Sequence, residues 1–375
     1  MKRSIGIYVH IPFCLSKCLY CDFCSFPRAD AATMEKYGLE TIRRIRSSAE
    51  DLCGYSIDTI YFGGGTPTLM PVRILENILC AIRDSGEVTA DAEITVECNP
   101  ATADRAYLAE LREMGVNRLS IGLQSIHENE LKALGRAHSL SDFERTFSDA
   151  RLVGFDNISV DLMYGIPHQS LKSFEESICY LARLSPEHIS AYGLKIEKGT
   201  PFYSLRESLI LPDEDEEFEE YLALSRILSS YGYEKYEISN FSKPQMYSRH
   251  NLRYWKQGEY LGFGVAAHSY FLGERFGASR DIESFLLGKD IIAEREQITE
   301  DDAFREYVML SLRLTDGIDL NEFTARAGRS FFDFYPRAYE LERQGYFKIE
   351  NGRIFFTDKG FFVSSTILSD MLDFS

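Results

Sequence analysis

Residues 4–24 read SIGIYVHIPFCLSKCLYCDFC. Ser4–His10 alternates β-branched or aromatic residues with small and polar ones, a period-two pattern that predicts a strand. Immediately after it, Cys14, Cys18, Cys21 and Cys24 fall within eleven residues. A strand that runs straight into clustered thiols places metal chemistry at its carboxyl end, and the rest of the chain repeats that arrangement.

Further strands are expected at Ile57–Phe62, Glu93–Glu97, Arg118–Ile121, Ile158–Leu162 and Ile189–Gly193. Between them Thr33–Leu52, Val72–Ser85, Ala103–Met114, Ser141–Val153, Leu171–Leu184 and Asp213–Tyr231 carry apolar residues at helical spacing. Six strand-then-helix units predict an α/β fold with a parallel sheet. Periodicity leaves open whether the sheet stays flat or curls into a partial barrel. In either form ligands bind at the carboxyl ends of the strands. Those ends hold the cysteines, Gly63-Gly64-Gly65-Thr66-Pro67, Glu97-Cys98-Asn99-Pro100, Gln124 and Asp161, so distant motifs are expected to meet on one rim.

Three segments are expected: 1–232 with the six units, 233–297 with aromatic strands and loops covering the sheet's mouth, and 298–375 as a smaller C-terminal domain. In the last, helices are predicted at Asp301–Leu312, Leu320–Ala327 and Phe331–Glu342. Strands Tyr346–Glu350 and Arg353–Thr357 flank Asn351-Gly352, the dipeptide of tight hairpin turns, so the domain reads as winged-helix-like. The acidic run Asp213–Glu220 reads as a solvated helix start, where carboxylates suit the helix dipole.

Composition removes whole classes of function. With 375 residues, 45% hydrophobic and 26% charged, the chain has ordinary globular composition. It lacks the roughly 18 successive apolar residues that a membrane helix requires. The start MKRSIGIYVHIPF is too interrupted by His10 and Pro12 to serve as a secretory signal, so a cytoplasmic protein is expected. Lys+Arg number 41 and Asp+Glu 58, a net charge of −17 that repels phosphate backbones and makes nucleic acid an unexpected partner. A disulfide framework does not suit so long a chain without a signal, and clustered cysteines then point to a metal. Cys53, Cys80, Cys98 and Cys179 default to small buried residues.

Cys14-x3-Cys18-x2-Cys21 suits a four-iron four-sulfur cluster held by three thiolates with one iron left open. Spacing alone also allows a structural zinc with Cys24 as fourth ligand. The glycine run lets backbone groups approach a ligand closely, and successive amides can bind its polar groups. His250-Asn251-x-x-Tyr254-Trp255 offers an imidazole among aromatic rings, which suits a haem axial ligand as well as it suits an ordinary packed loop. His268, in a glycine-rich turn, is a weaker candidate of the same kind.

YVHIPFCLSKCLYCDF and GGGTP together resemble the radical S-adenosylmethionine (SAM) superfamily, within it the group that contains oxygen-independent coproporphyrinogen III dehydrogenases and HemW-type haem chaperones. The resemblance covers nearly the whole chain. It implies a partial (β/α)6 TIM-like barrel with a C-terminal winged-helix-like domain. It implies that Cys14, Cys18 and Cys21 hold a [4Fe–4S] cluster whose open iron takes SAM, and it gives Cys24 no ligand counterpart. By the same resemblance Tyr8, Tyr20, Gly64, Gly65, Thr66, Glu97, Gln124, Arg136 and Asp161 match positions that line the SAM site.

Within that group the chain resembles the chaperones more than the dehydrogenases. Its first strand begins about four residues in, leaving no room for the dehydrogenases' N-terminal extension. It departs from their cysteine pattern just before position 24, and it carries HNxxYW. The resemblance thus implies haem as cargo, with His250 its candidate ligand, and haem-acceptor proteins and an electron donor as partners. Peripheral membrane association and a homodimer are compatible with it. The alternative is oxidative decarboxylation of coproporphyrinogen III propionates.

Overall fold

The computed structural model describes residues 2–372. Strands β1 (Arg3–Ile11), β2 (Tyr55–Gly64), β3 (Glu87–Cys98), β4 (Arg118–Gln124), β5 (Ile158–Tyr164) and β6 (His188–Gly193) alternate with helices α1 (Ala31–Ser47), α2 (Val72–Ser85), α3 (Arg105–Glu113), α4 (Leu140–Leu152), α5 (Leu171–Leu184) and α6 (Glu214–Ser230). Neighbouring strands from β1 to β6 pair in parallel and in sequence order. Side-chain capping marks where these helices start: Asp30, Asp104, Ser139, Ser170 and Asp213 each accept a backbone N–H of the first turn.

The sheet continues beyond both edges of this set. On one side β7 (Glu234–Lys235) and β8 (Asn240–Ser242) add antiparallel to β6. On the other, β9 (Tyr260–Phe263) pairs parallel to β1, followed by β10 (His268–Phe271), β11 (Glu274–Ala278) and β12 (Ile292–Gln297). Among the described residues the order is β12-β11-β10-β9-β1-β2-β3-β4-β5-β6-β8-β7, a curled sheet whose two edges do not pair.

Residue alternation explains the curl and the cavity. Outward positions are apolar and buried: Ile7 and Val9, Ile60 and Phe62, Ile94 and Val96, Leu119 and Ile121, Val160 and Leu162, Ile189 and Ala191. Burying this face against the helices supplies the main driving force, at about 25 cal/mol per Å2 of apolar surface. The other face is polar, with Thr59, Tyr61, Thr95, Glu97, Arg118, Ser120, Asp161, His188 and Ser190 in the register positions between. Barrels filled by branched aliphatics pack solid; these side chains hydrogen-bond instead and leave a cavity.

The segment after residue 232 differs from expectation. Its helix α7 (Arg249–Trp255), which carries HNxxYW, does not cover the mouth. Arg249 and His250 donate backbone N–H groups to the Glu93 carboxylate (both 3.0 Å), two residues before the position that pairs with the start of β4, and Arg253 pairs with Asp58 and reaches Ser4 in the amino-terminal halves of β2 and β1. The helix therefore plugs the bottom of the barrel.

The C-terminal part contains α8 (Glu300–Ser311), β13 (Ile318–Asp319), α9 (Leu320–Ala327), α10 (Phe331–Phe334), α11 (Ala338–Arg343), β14 (Phe347–Glu350), β15 (Arg353–Phe356), α12 (Asp358–Phe362) and α13 (Ser364–Leu372). Strands β13-β15-β14 form a small antiparallel sheet, with Asn351 and Gly352 both at positive φ in the hairpin turn. The helix expected at Phe331–Glu342 is broken in two. Pro336 disfavours helical backbone in the residue before it, and Tyr335 accordingly turns out to φ −123°, ψ 75°. Lys235 links this part to the barrel, its ammonium 2.9 Å from Asp358 and 4.2 Å from the Tyr221 ring centre.

Two further expectations change. Glu220, at the end of the acidic run, is buried and accepts the Gly165 N–H at 2.9 Å, and burial pushes its carboxyl up to about 7. Cys53 and Cys80 are exposed rather than buried.

Candidate functional site

After β1 the chain makes a short parallel ladder, Phe13–Cys14 against Phe26–Pro27, which closes the cysteine segment into a loop at the barrel mouth. Leu19 N–H donates to the Leu134 carbonyl at 3.0 Å, anchoring the loop's far side. Cys14, Cys18 and Cys21 are free, half-buried thiols that line a cavity of roughly 420 Å3. Two of them have a side-chain donor: Thr66 Oγ1 lies 3.7 Å from Cys14 Sγ, and Arg136 Nη1 lies 3.7 Å from Cys18 Sγ. Burial raises the Cys14 thiol and pushes Cys21 up to about 11, so a metal that binds them must displace their protons.

This donor set fits the cluster that the sequence implied. Cys14, Cys18 and Cys21 all open onto one cavity, and three thiolates are the donor chemistry that a four-iron cluster takes. Cys24 lies off the cavity: its carbonyl accepts from His10 Nε2 at 2.8 Å, and its buried thiol faces the Arg280 carbonyl at 4.0 Å.

The glycine loop packs beside the Cys14 thiol, along the Ile11–Cys14 segment. Gly64 has φ +115°, open to glycine and strained for other residues, and a Cβ on Gly65 would fall 2.7 Å from the Phe13 carbonyl oxygen. Its N–H groups are not free for a ligand, contrary to expectation. Gly64 donates to Glu97 Oε2 (3.0 Å), Gly65 to the Ile11 carbonyl (2.8 Å) and Thr66 to the Phe13 carbonyl (2.8 Å). What the loop can offer is carbonyl oxygen and close approach, which suit an ammonium group.

Tyr20, Gly64, Gly65, Thr66, Glu97, Gln124, Arg136 and Asp161 all line the same cavity as the thiols. Glu97 and Asp161 lie within their strands, as expected, and face the cavity. Burial pushes Glu97 up to about 7 and Asp161 up to about 6, while the Tyr61 hydroxyl (2.9 Å) holds Glu97 in place. Gln124, at φ +72°, accepts from the Tyr192 hydroxyl at 3.3 Å. Tyr8 is the exception: it stands one layer back, stacked on Tyr61, with its hydroxyl donating to His10 Nδ1 at 3.0 Å.

Sequence reading missed Tyr61, Arg118, Ser120, Ser190, Tyr192 and Asn240, which also line the cavity. The available signal was strand alternation, since Arg118 and Ser120 share the inward parity of Gly122. Arg118 is 2% exposed with its Nε lacking a hydrogen-bond partner, and its charge favours the ionised forms of Glu97 and Asp161.

His250 does not meet the expectation of a haem ligand. It is 1% exposed, its Nδ1 bonded to Thr59 Oγ1 (2.9 Å) and its Nε2 to the Tyr254 hydroxyl (2.8 Å), beneath the Tyr61 ring. Burial pushes its imidazole down to about 3, so it stays neutral. Both ring nitrogens being engaged, neither is available to iron. His250→Ala is expected to destabilise the fold by about 2–4 kcal/mol, through a cavity and two unpaired hydroxyls, while leaving any haem Soret band in place. Thermal melts and spectra of the variant check this, and a lost Soret band in a folded variant would restore His250 as ligand.

Known proteins resemble this chain over most of its length. Residues 8–181 match the radical SAM superfamily, and residues 298–363 match the HemN C-terminal domain. The heme chaperone HemW of Bacillus subtilis is 34% identical, covering 97% of this chain and 98% of its own. That of Escherichia coli is 33% identical over 91% of each. Among solved structures, the coproporphyrinogen III oxidase HemN of Escherichia coli superimposes with a TM-score of 0.86 over 100% of this chain and 91% of its own, at 22% identity. The structural likeness carries the fold, a curled α/β sheet with its C-terminal domain, and the sequence likeness over almost the full length carries the family: the chain belongs to the HemW family of the radical SAM superfamily.

Proposed function

We propose that this protein is a haem chaperone: it binds haem, a [4Fe–4S] cluster and SAM, and delivers haem to haem-requiring proteins, respiratory ones among them. The observation that carries the reading is the near full-length likeness to proteins named heme chaperone HemW. Cys14, Cys18 and Cys21 hold the cluster, which when bound supplies an open iron and a one-electron couple. Tyr20, Gly64, Gly65, Thr66, Glu97, Gln124, Arg136 and Asp161 bind SAM. In that role Glu97 and Asp161 accept hydrogen bonds from hydroxyl or ammonium groups, the loop carbonyls receive an amine, and Arg136 pairs a carboxylate. Tyr8 acts through Tyr61 and His10 rather than by contact.

Haem ligation falls to a residue other than His250; the exposed imidazoles are those of His168 and His268. The partners are an electron donor for the cluster and haem-acceptor proteins, and the compartment is the cytoplasm. Among the described residues no helix is long and apolar enough to cross a membrane. The chain divides as 1–232, 233–297 and 298–375, with the middle segment closing the barrel from its edges and its bottom.

The test supplies anaerobically reconstituted protein with SAM and reductant, and then with coproporphyrinogen III or with haem. Retained haem and no protoporphyrinogen are expected. Turnover of coproporphyrinogen III at an enzymatic rate would replace the chaperone reading with the decarboxylase one.

A further inference from the structure

Arg136 occupies an unusual position for a cation. It follows Gly135, whose φ of +70° turns the chain back toward the barrel, and its own N–H donates to the Leu131 carbonyl at 2.9 Å. The guanidinium reaches into the cavity wall, with Nη2 donating to the Gly122 carbonyl at 2.8 Å and Nη1 to Cys18 Sγ at 3.7 Å. Its Nε is buried without a hydrogen-bond partner, and no carboxylate pairs with it among the described residues. The side-chain donor at Cys14 is a neutral hydroxyl, whereas the one at Cys18 carries a full charge.

We propose that Arg136 is a positioning residue for electron transfer: by charge and hydrogen bond to the Cys18 sulfur it raises the reduction potential of the cluster. The inference rests on the assignment of Cys14, Cys18 and Cys21 to that cluster. Reduction adds one electron from an external low-potential donor, with no bond made or broken and no proton moved. The added negative charge is shared with the ligand sulfurs, so a guanidinium directed at one of them stabilises the reduced form more than the oxidised form. The barrel interior is poorly screened, which enlarges the effect relative to a surface arginine.

A second consequence concerns regulation. The same guanidinium is the group available to a ligand carboxylate in this cavity. A carboxylate that pairs with it cancels the charge felt at Cys18 and lowers the potential through this residue. By reciprocity, cluster reduction weakens that carboxylate's hold by the same factor. Arg136 thereby couples occupancy of the site to the readiness of the cluster to accept an electron.

The test is a redox titration of reconstituted wild type, Arg136→Gln and Arg136→Lys without SAM, followed by the electron paramagnetic resonance signal of the reduced cluster. Arg136→Gln is expected to cut the reduced-to-oxidised ratio at the wild-type midpoint by about tenfold, equivalent to ~59 mV for one electron. Arg136→Lys, which keeps the charge and loses the fork, is expected to shift in the same direction by less. Absorbance before titration separates the two levels of the argument. Equal midpoints in proteins that all hold the cluster overturn the role of Arg136 and leave the cysteine assignment standing. A wild type that takes up no cluster overturns both. Should Arg136→Gln fail to fold, an unshifted midpoint in Arg136→Lys overturns the proposal.

Discussion

Cys14→Ser, Cys18→Ser and Cys21→Ser are each expected to abolish the iron–sulfur absorbance of anaerobically reconstituted protein, whereas Cys24→Ser retains it. The first three thiols line the cavity and the fourth does not. A serine hydroxyl is a far harder and less acidic ligand than a thiol, so one replacement among three removes a bond that the remaining two do not compensate. Cys24 instead holds its place through the His10–Cys24 carbonyl bond, which serine preserves because it involves the backbone. The backbone ladder that closes the loop is likewise untouched by any of the four substitutions. Iron and sulfide content measured beside the visible spectrum checks the result. Cluster loss in Cys24→Ser would mean that the loop rearranges on loading and recruits that thiol.

The second large effect concerns the two inward carboxylates. Asp161→Asn and Glu97→Gln keep side-chain shape but remove the charge that would accept from hydroxyl or ammonium groups of SAM. A hydrogen bond to a charged group contributes about 1.5–3 kcal/mol, so each variant is expected to bind SAM about 10–100-fold more weakly at pH 8. Their effects should not add, since both face one cavity. Burial has raised both groups, Glu97 to about 7 and Asp161 to about 6, so acidification from pH 8 to 5.5 protonates them in turn. SAM affinity of the wild type is therefore expected to fall across that window, and the dependence to flatten in the double variant. The ligand-free protein has the opposite slope from these two groups: a carboxyl raised on folding binds more protons in the folded state, so stability falls as pH rises from the ordinary carboxylate range to about 7. Calorimetric titrations with SAM at both pH values decide it, and equal wild-type affinity at pH 5.5 and 8 would remove the carboxylates from the site.

Much of the architecture was legible because the signals are local. Val72–Ser85, Leu171–Leu184 and Leu320–Ala327 have the boundaries expected from apolar spacing and flanking residues. Strands were read short, most clearly Glu93–Glu97 within Glu87–Cys98, because the polar residues that begin β3 carry no hydrophobic signal. Glu97 and Asp161 fall within the expected strands as they do within the observed ones, one and three residues before the strands stop. The aromatic HNxxYW segment was misplaced for a related reason: its anchors, Glu93, Asp58 and Ser4, are remote in sequence and ordinary in type.

By itself the sequence determined the order of strands and helices, the three-thiol spacing and the glycine loop, since these depend on neighbours a few residues apart. Only the tertiary structure decided that Cys24 turns away, that Tyr8 stands behind Tyr61, that the amides of Gly64, Gly65 and Thr66 are already engaged, and that His250 is saturated beneath the floor. Each of these is a question of which partner satisfies a buried polar group, and the partners arrive from across the barrel, from residues whose proximity is created by burying the apolar outer face.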